Sequence, residues 1–196
     1  MSERMWKAAD VARTFGPSAL VTPANAVTLL RVGLTPLLLM AILLDGASWP
    51  NLALWIGLAG TDGVDGYLAR RHGTTRSGAY LDPLADKLLI LGALVCLVAE
   101  GRFWWLPVAL IAVRELSMSA YRSYVGRRGV SVPARGSAKV KTVVQAVTVG
   151  MALAPTLEGA RWLTSTALWG AVVLTLWTGW QYLAEARRGR AVGRAL

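Results

Sequence analysis

The sequence predicts an all-α membrane protein: six transmembrane helices in one bundle, preceded by an amphipathic segment suited to the membrane surface. Three observations predict it. Hydrophobic residues make up 55% of the 196 positions, and they fall into blocks of about twenty, the length a helix needs to cross a bilayer. The links between blocks are short, so neighbouring helices must pack together as one domain spanning residues 1–196. Lys and Arg collect on every second link, as they do when alternate links face the cytoplasm.

Taken in order, residues 1–20 mix Met5, Trp6, Ala8, Val11 and Phe15 with Arg4, Lys7 and Arg13, the composition of a helix lying in the interface. The first apolar block starts late and lacks a small-residue cleavage site, which argues against a removable signal. The six blocks run roughly over 25–44, 51–71, 79–99, 103–125, 138–156 and 161–183, with a basic tail over 184–196. The link "DGASWPN" has no Lys or Arg, "EGR" has Arg102 alone, and the fifth link has Arg161 alone. The alternate segments carry Arg70, Arg71 and Arg76; then Arg122, Arg127, Arg128, Arg135, Lys139 and Lys141; then Arg187, Arg188, Arg190 and Arg194. Trp49, Trp104, Trp105 and Trp162 flank the poorly charged links, as an outer aromatic belt does. The net charge of +10 is therefore topological, with a bias toward anionic lipid, and it does not imply nucleic acid. A bacterial inner or plasma membrane, with both termini cytoplasmic, is the expected location.

Cys96 is the sole cysteine and reads as a small core residue, since one thiol closes no internal disulfide. His72, the sole histidine, reads as a solvated link residue.

Between the second and third blocks lie four aspartates, Asp62, Asp65, Asp82 and Asp86. At the bilayer centre each would cost roughly 2.5–3.5 kcal/mol, so all four belong near the cytoplasmic interface. Asp62 and Asp65 are spaced i, i+3; Asp82 and Asp86 are spaced i, i+4. Each pair shares a helix face, and the short turn between the blocks lets the faces meet. Converging carboxylates repel unless a hard cation joins them, so the set suits one or two Mg²⁺ or Mn²⁺ ions. Zinc is disfavoured without a His/Cys cluster. Gly66, Ala69 and Gly78 leave space beside the aspartates. Arg70, one turn beyond Gly66, is placed for phosphate. Metal, arginine and bare backbone together suggest a nucleotide diphosphate.

The string Asp62-x-x-Asp65-Gly66-x-x-Ala69-Arg70 followed by Gly78-x-x-x-Asp82-x-x-x-Asp86 resembles the signature of the CDP-alcohol phosphatidyltransferases, membrane enzymes of phospholipid synthesis. The Arg70-to-Gly78 gap is one residue shorter than the commonest form. The resemblance implies a six-helix fold, a homodimer, two metals on the aspartates, and Asp86 as general base.

Further stretches resemble the branch that makes phosphatidylglycerophosphate. They are "TPANAVTLLRVGLTP", with Asn25, Thr28, Arg31 and Pro36; "IAVRELSMSAYRS", with Arg114, Glu115 and Arg122; and "SVPARGSAKVKTVVQ", with Arg135, Lys139, Lys141, Thr142 and Gln145. Ala138 stands where that branch commonly has Gly. The resemblance implies that Asn25, Thr28, Gly66, Ala69, Arg70 and Gly78 bind CDP-diacylglycerol. Arg114, Arg122, Arg135, Lys139 and Lys141 would bind the phosphate of sn-glycerol 3-phosphate, with Glu115 orienting one of these cations. A cardiolipin synthase of the same family, with phosphatidylglycerol as acceptor, is the alternative. A cation transporter is more remote, because its carboxylates would be spread through the membrane depth.

Overall fold

The structure is a computed structural model that describes the backbone of residues 23–72, 78–127 and 136–192. Within these, the side chains of 23–25, 62–72, 78–82, 122, 125–127, 136–139 and 182–192 lie outside the described residues. The N-terminal segment expected at the membrane surface also lies outside them.

The described backbone forms six helices and no strand: α1 Pro23–Asp45, α2 Trp49–His72, α3 Gly78–Ala99, α4 Trp105–Arg127, α5 Gly136–Leu153 and α6 Arg161–Val192. Four of the six match the expected blocks within about two residues at each end.

The turn between α1 and α2 is built by its sequence. Gly46 adopts φ +60°, the left-handed conformation that ends a helix without a Cβ penalty. Asn51 then donates from Nδ2 to the carbonyls of Ala41 (3.1 Å) and Gly46 (2.9 Å), tying the start of α2 to the end of α1. After α3, Gly101 at φ +65° does the same work, and the Arg102 amide donates to the Leu97 carbonyl at 2.9 Å.

Two boundaries differ from expectation. The fifth block was expected to reach 156, but α5 stops at Leu153 and a 3₁₀ turn, Pro155–Leu157, follows. Pro155 has no N–H to continue the ladder and disfavours helical geometry in the residue before it. The sixth block was expected to end at 183 with a tail beyond, but α6 continues to Val192. The added residues are mostly Ala and Arg with one Glu, strong helix formers that sustain the helix after the apolar run ends.

α1 packs most extensively on α2 and α3, and α6 on α5 and α4. These two groups join where α3 meets α4 and α5, and where α2 meets α5. Leu38, Ile42, Leu89, Leu94, Leu97, Ile111, Val149 and Leu153 fill the shared core. Trp55 is buried among them, and its Nε1 donates to the Ala146 carbonyl at 3.1 Å, tying α2 to α5.

The outside of the bundle is apolar. Leu30, Leu37 and Leu44 on α1, Ile56 on α2, Val95 on α3, Val113 on α4, Val147 on α5 and Trp177 on α6 are all exposed. The inside is partly polar, with Arg31, Asn51, Glu115, Lys141, Gln145, Thr175 and Thr178 buried. Among the described residues one helix, over Ala26–Asp45, is long and apolar enough by composition alone to cross a membrane.

Candidate active site

The second half of α2 carries Asp62, Asp65, Gly66, Ala69 and Arg70, and the start of α3 carries Gly78, Asp82 and Asp86. The backbone is helical at all eight positions. Asp62/Asp65 and Asp82/Asp86 therefore keep the i, i+3 and i, i+4 spacing as shared helix faces. Of these residues, only the Asp86 side chain belongs to the described set.

Asp86 is partly buried and lines a cavity of about 90 Å³. Arg31 from α1 and Thr142 from α5 give it polar edges, while Leu58, Leu89 and Ala146 give it apolar walls. The donor set fits a hard divalent cation: four carboxylates on two adjacent helices, one of them opening on a polar-edged cavity.

Of the expected nucleotide-binding residues on α1, Thr28 is fully buried one turn before Arg31. The Asn25 side chain lies outside the described residues. Arg31 itself is 1% exposed. Its Nε donates to Thr61 Oγ1 at 2.9 Å, and Thr61 Oγ1 donates to the Leu58 carbonyl at 2.6 Å. Thr61 directly precedes Asp62.

Two of the expected acceptor-site cations are described in full. Glu115 Oε1 accepts from Arg114 Nη1 at 3.0 Å and from Lys141 Nζ. Arg114 Nη2 donates to Thr178 Oγ1 at 2.8 Å, while its buried Nε has no hydrogen-bond partner among the described residues. Gln145 Nε2 donates to Thr175 Oγ1 at 2.9 Å. One carboxylate thus holds two cations, and α4, α5 and α6 meet around it. Arg122 and Lys139 lie on the ends of α4 and α5 with their side chains outside the described residues; Arg135 lies outside altogether.

The sequence reading did not single out Thr61, Thr175, Thr178 or Lys87. Lys87, next to Asp86, donates to Ser119 Oγ and so links α3 to α4. Its signal was a lone cation entering an apolar run, the kind of residue that marks a polar interior. Isolated threonines in an apolar helix carry no comparable signal, because a hydroxyl there also satisfies itself on its own backbone.

A model of the CDP-alcohol phosphatidyltransferase family matches residues 21–177. The chain is 38% identical over 179 residues to a probable phosphatidylglycerophosphate synthase of Mycobacterium tuberculosis, covering 88% of this chain and 85% of that protein. It is 39% identical over 168 residues to a CDP-diacylglycerol–glycerol-3-phosphate 3-phosphatidyltransferase of Pectobacterium atrosepticum, covering 82% and 92%. A protein of the same description from Salmonella choleraesuis is 38% identical over 167 residues, again covering 82% and 92%. The stretch the family model matches contains the four aspartates, Arg31, Arg114, Glu115 and Lys141, and the chain belongs to the CDP-alcohol phosphatidyltransferase family.

Proposed function

We propose that the protein transfers the phosphatidyl group of CDP-diacylglycerol to sn-glycerol 3-phosphate, giving phosphatidylglycerophosphate and CMP. It does so as a homodimer in a bacterial cell membrane, with six spans and with both termini and the aspartates on the cytoplasmic side. The observation that carries the reading is Asp86, the last carboxylate of the motif, opening on a cavity edged by Arg31 and Thr142 inside a bundle with an apolar exterior. Relatives named for this reaction support the choice of acceptor.

In this reading the acyl tails of CDP-diacylglycerol stay in lipid and its cytidine faces the cytoplasm. Gly66, Ala69 and Gly78 admit the nucleotide, with Asn25 and Thr28 alongside, and Arg70 binds the pyrophosphate. Mg²⁺ or Mn²⁺ held by Asp62, Asp65, Asp82 and Asp86 would supply charge neutralisation for the phosphates. Asp86 accepts the proton of the acceptor hydroxyl. That oxygen bonds to the phosphorus bearing diacylglycerol, the bond to the bridging oxygen breaks, and CMP departs. Arg122, Arg135 and Lys139 bind the acceptor phosphate, beside Arg114 and Lys141 on their Glu115 tether.

Purified enzyme with CDP-diacylglycerol, Mg²⁺ and a panel of acceptors, scored by CMP release, tests the reading. Release with phosphatidylglycerol and none with glycerol 3-phosphate would move the assignment to a cardiolipin synthase. A finer test concerns the cations. Arg122→Ala and Lys139→Ala should each raise the KM for glycerol 3-phosphate roughly ten- to a hundred-fold, the effect of losing a charge-assisted hydrogen bond. The KM for CDP-diacylglycerol should barely move. An unchanged glycerol 3-phosphate KM in both variants would leave these residues a purely topological role.

The topology is tested by cysteine labelling on a Cys96→Ser background. Thr74→Cys should react with a membrane-impermeant reagent only after the cells are opened. Labelling in intact cells would reverse the orientation and remove the site from the cytoplasm.

A further inference from the structure

Arg31 has no counterpart in the reaction as described, yet it is a costly residue to keep. Apart from Asp45 at the helix end, it is the one charged residue in α1, and it is 1% exposed. An arginine within a membrane helix needs a partner and commonly marks a functional site. Packing alone would be met by another leucine.

The surroundings of Arg31 indicate its task. Thr61 Oγ1 accepts from Arg31 Nε at 2.9 Å and donates its own proton to the Leu58 carbonyl at 2.6 Å. That hydroxyl is thereby fixed in one orientation and fixes the guanidinium with it. At the other end, Thr35 Oγ1 donates to the Arg31 carbonyl at 2.7 Å. Arg31 therefore grips α2 at the residue directly before Asp62, and it also lines the cavity that Asp86 lines from α3. It thus bonds to α2 beside one carboxylate pair and shares a cavity with Asp86 of the other.

Resting on the functional reading above, we infer that Arg31 is a positioning residue that sets α2 against α3, so that the two aspartate pairs meet around the same ions. Its loss acts on ion binding and turnover rather than on acceptor affinity.

The test uses full-length purified enzyme and two readouts: Mn²⁺ binding without substrates, followed by the paramagnetic resonance of free Mn²⁺, and steady-state kinetics. Arg31→Met should weaken Mn²⁺ binding and lower kcat by about tenfold or more, the scale of a lost charged hydrogen bond. The KM for glycerol 3-phosphate should stay within about twofold, since acceptor contacts remain. Arg31→Lys, which keeps the charge and loses the fork, should fall between wild type and Arg31→Met. Thr61→Val keeps the shape and removes the hydroxyl, and should give a change of the same sign, about three- to tenfold. If Arg31→Met does not fold, Thr61→Val and Arg31→Lys decide the matter. Unaltered Mn²⁺ affinity and kcat in the folded variants would reduce Arg31 to a packing residue and overturn the inference. A wild type that binds Mn²⁺ and releases CMP with no acceptor would instead overturn the functional reading, and the Mn²⁺ comparison among variants would still decide the role of Arg31.

Discussion

Asp86→Asn should abolish turnover while leaving CDP-diacylglycerol bound. Asparagine matches aspartate in shape and so preserves the cavity wall, and the other three carboxylates remain. The amide cannot take a proton from the acceptor hydroxyl. General-base catalysis is typically about 10²–10⁴-fold, so kcat should fall by at least about a hundredfold. A base matters in the transition state more than in the ground state, so equilibrium binding of CDP-diacylglycerol should change little. Single-turnover CMP release and substrate binding on the same preparation separate the two effects. Retention of more than about a tenth of wild-type kcat would remove Asp86 from the role of base.

Glu115→Ala should be the most destabilising single change in the described interior. The carboxylate is 10% exposed and holds Arg114 and Lys141, whose side chains are 11% and 6% exposed. Its removal leaves two cations in a buried setting without their counter-charge, a loss of about 3–5 kcal/mol. Thermal unfolding in detergent should show it directly. Lys141→Met alone should also destabilise, because Glu115 loses one of its two cations. The double variant Glu115→Met with Lys141→Met should recover part of the loss, as apolar replacement of a buried pair often does. The coupling in that cycle separates the ion pair from packing. A loss below about 1 kcal/mol for Glu115→Ala, the range of exposed pairs, would mean that water reaches the cluster.

Much of the helical architecture was legible because long apolar blocks limit the options. Blocks of about twenty apolar residues admit few readings, and among the described residues six helices appear where six blocks were read. The boundaries at 156 and 183 were missed for local reasons. Pro155 ends α5 before the apolar run ends, while the Ala, Glu and Arg after 183 prolong α6 beyond the end of its own run. Hydropathy cannot register either effect. Spacing also led to the four aspartates, since paired carboxylates at i, i+3 and i, i+4 have little structural use in an apolar chain. The Arg31–Thr61 bond joins positions thirty apart and the Arg114–Thr178 bond positions sixty-four apart. No local pattern encodes such partners, and threonine is too common in apolar helices to announce a bond.

The way the helices pair has a consequence for biogenesis. α1, α2 and α3 pack on one another in chain order, so the aspartate half can assemble as the chain emerges, before α4 exists. The half around Glu115 cannot. Arg114 waits for Thr178, and Gln145 for Thr175, both on the last helix to be made. Until α6 arrives, a nascent chain has Arg114 without its hydroxyl partner and the α5 amide without its acceptor. A chain stopped before α6 should therefore hold α1, α2 and α3 together while Arg114 and Gln145 still lack Thr178 and Thr175.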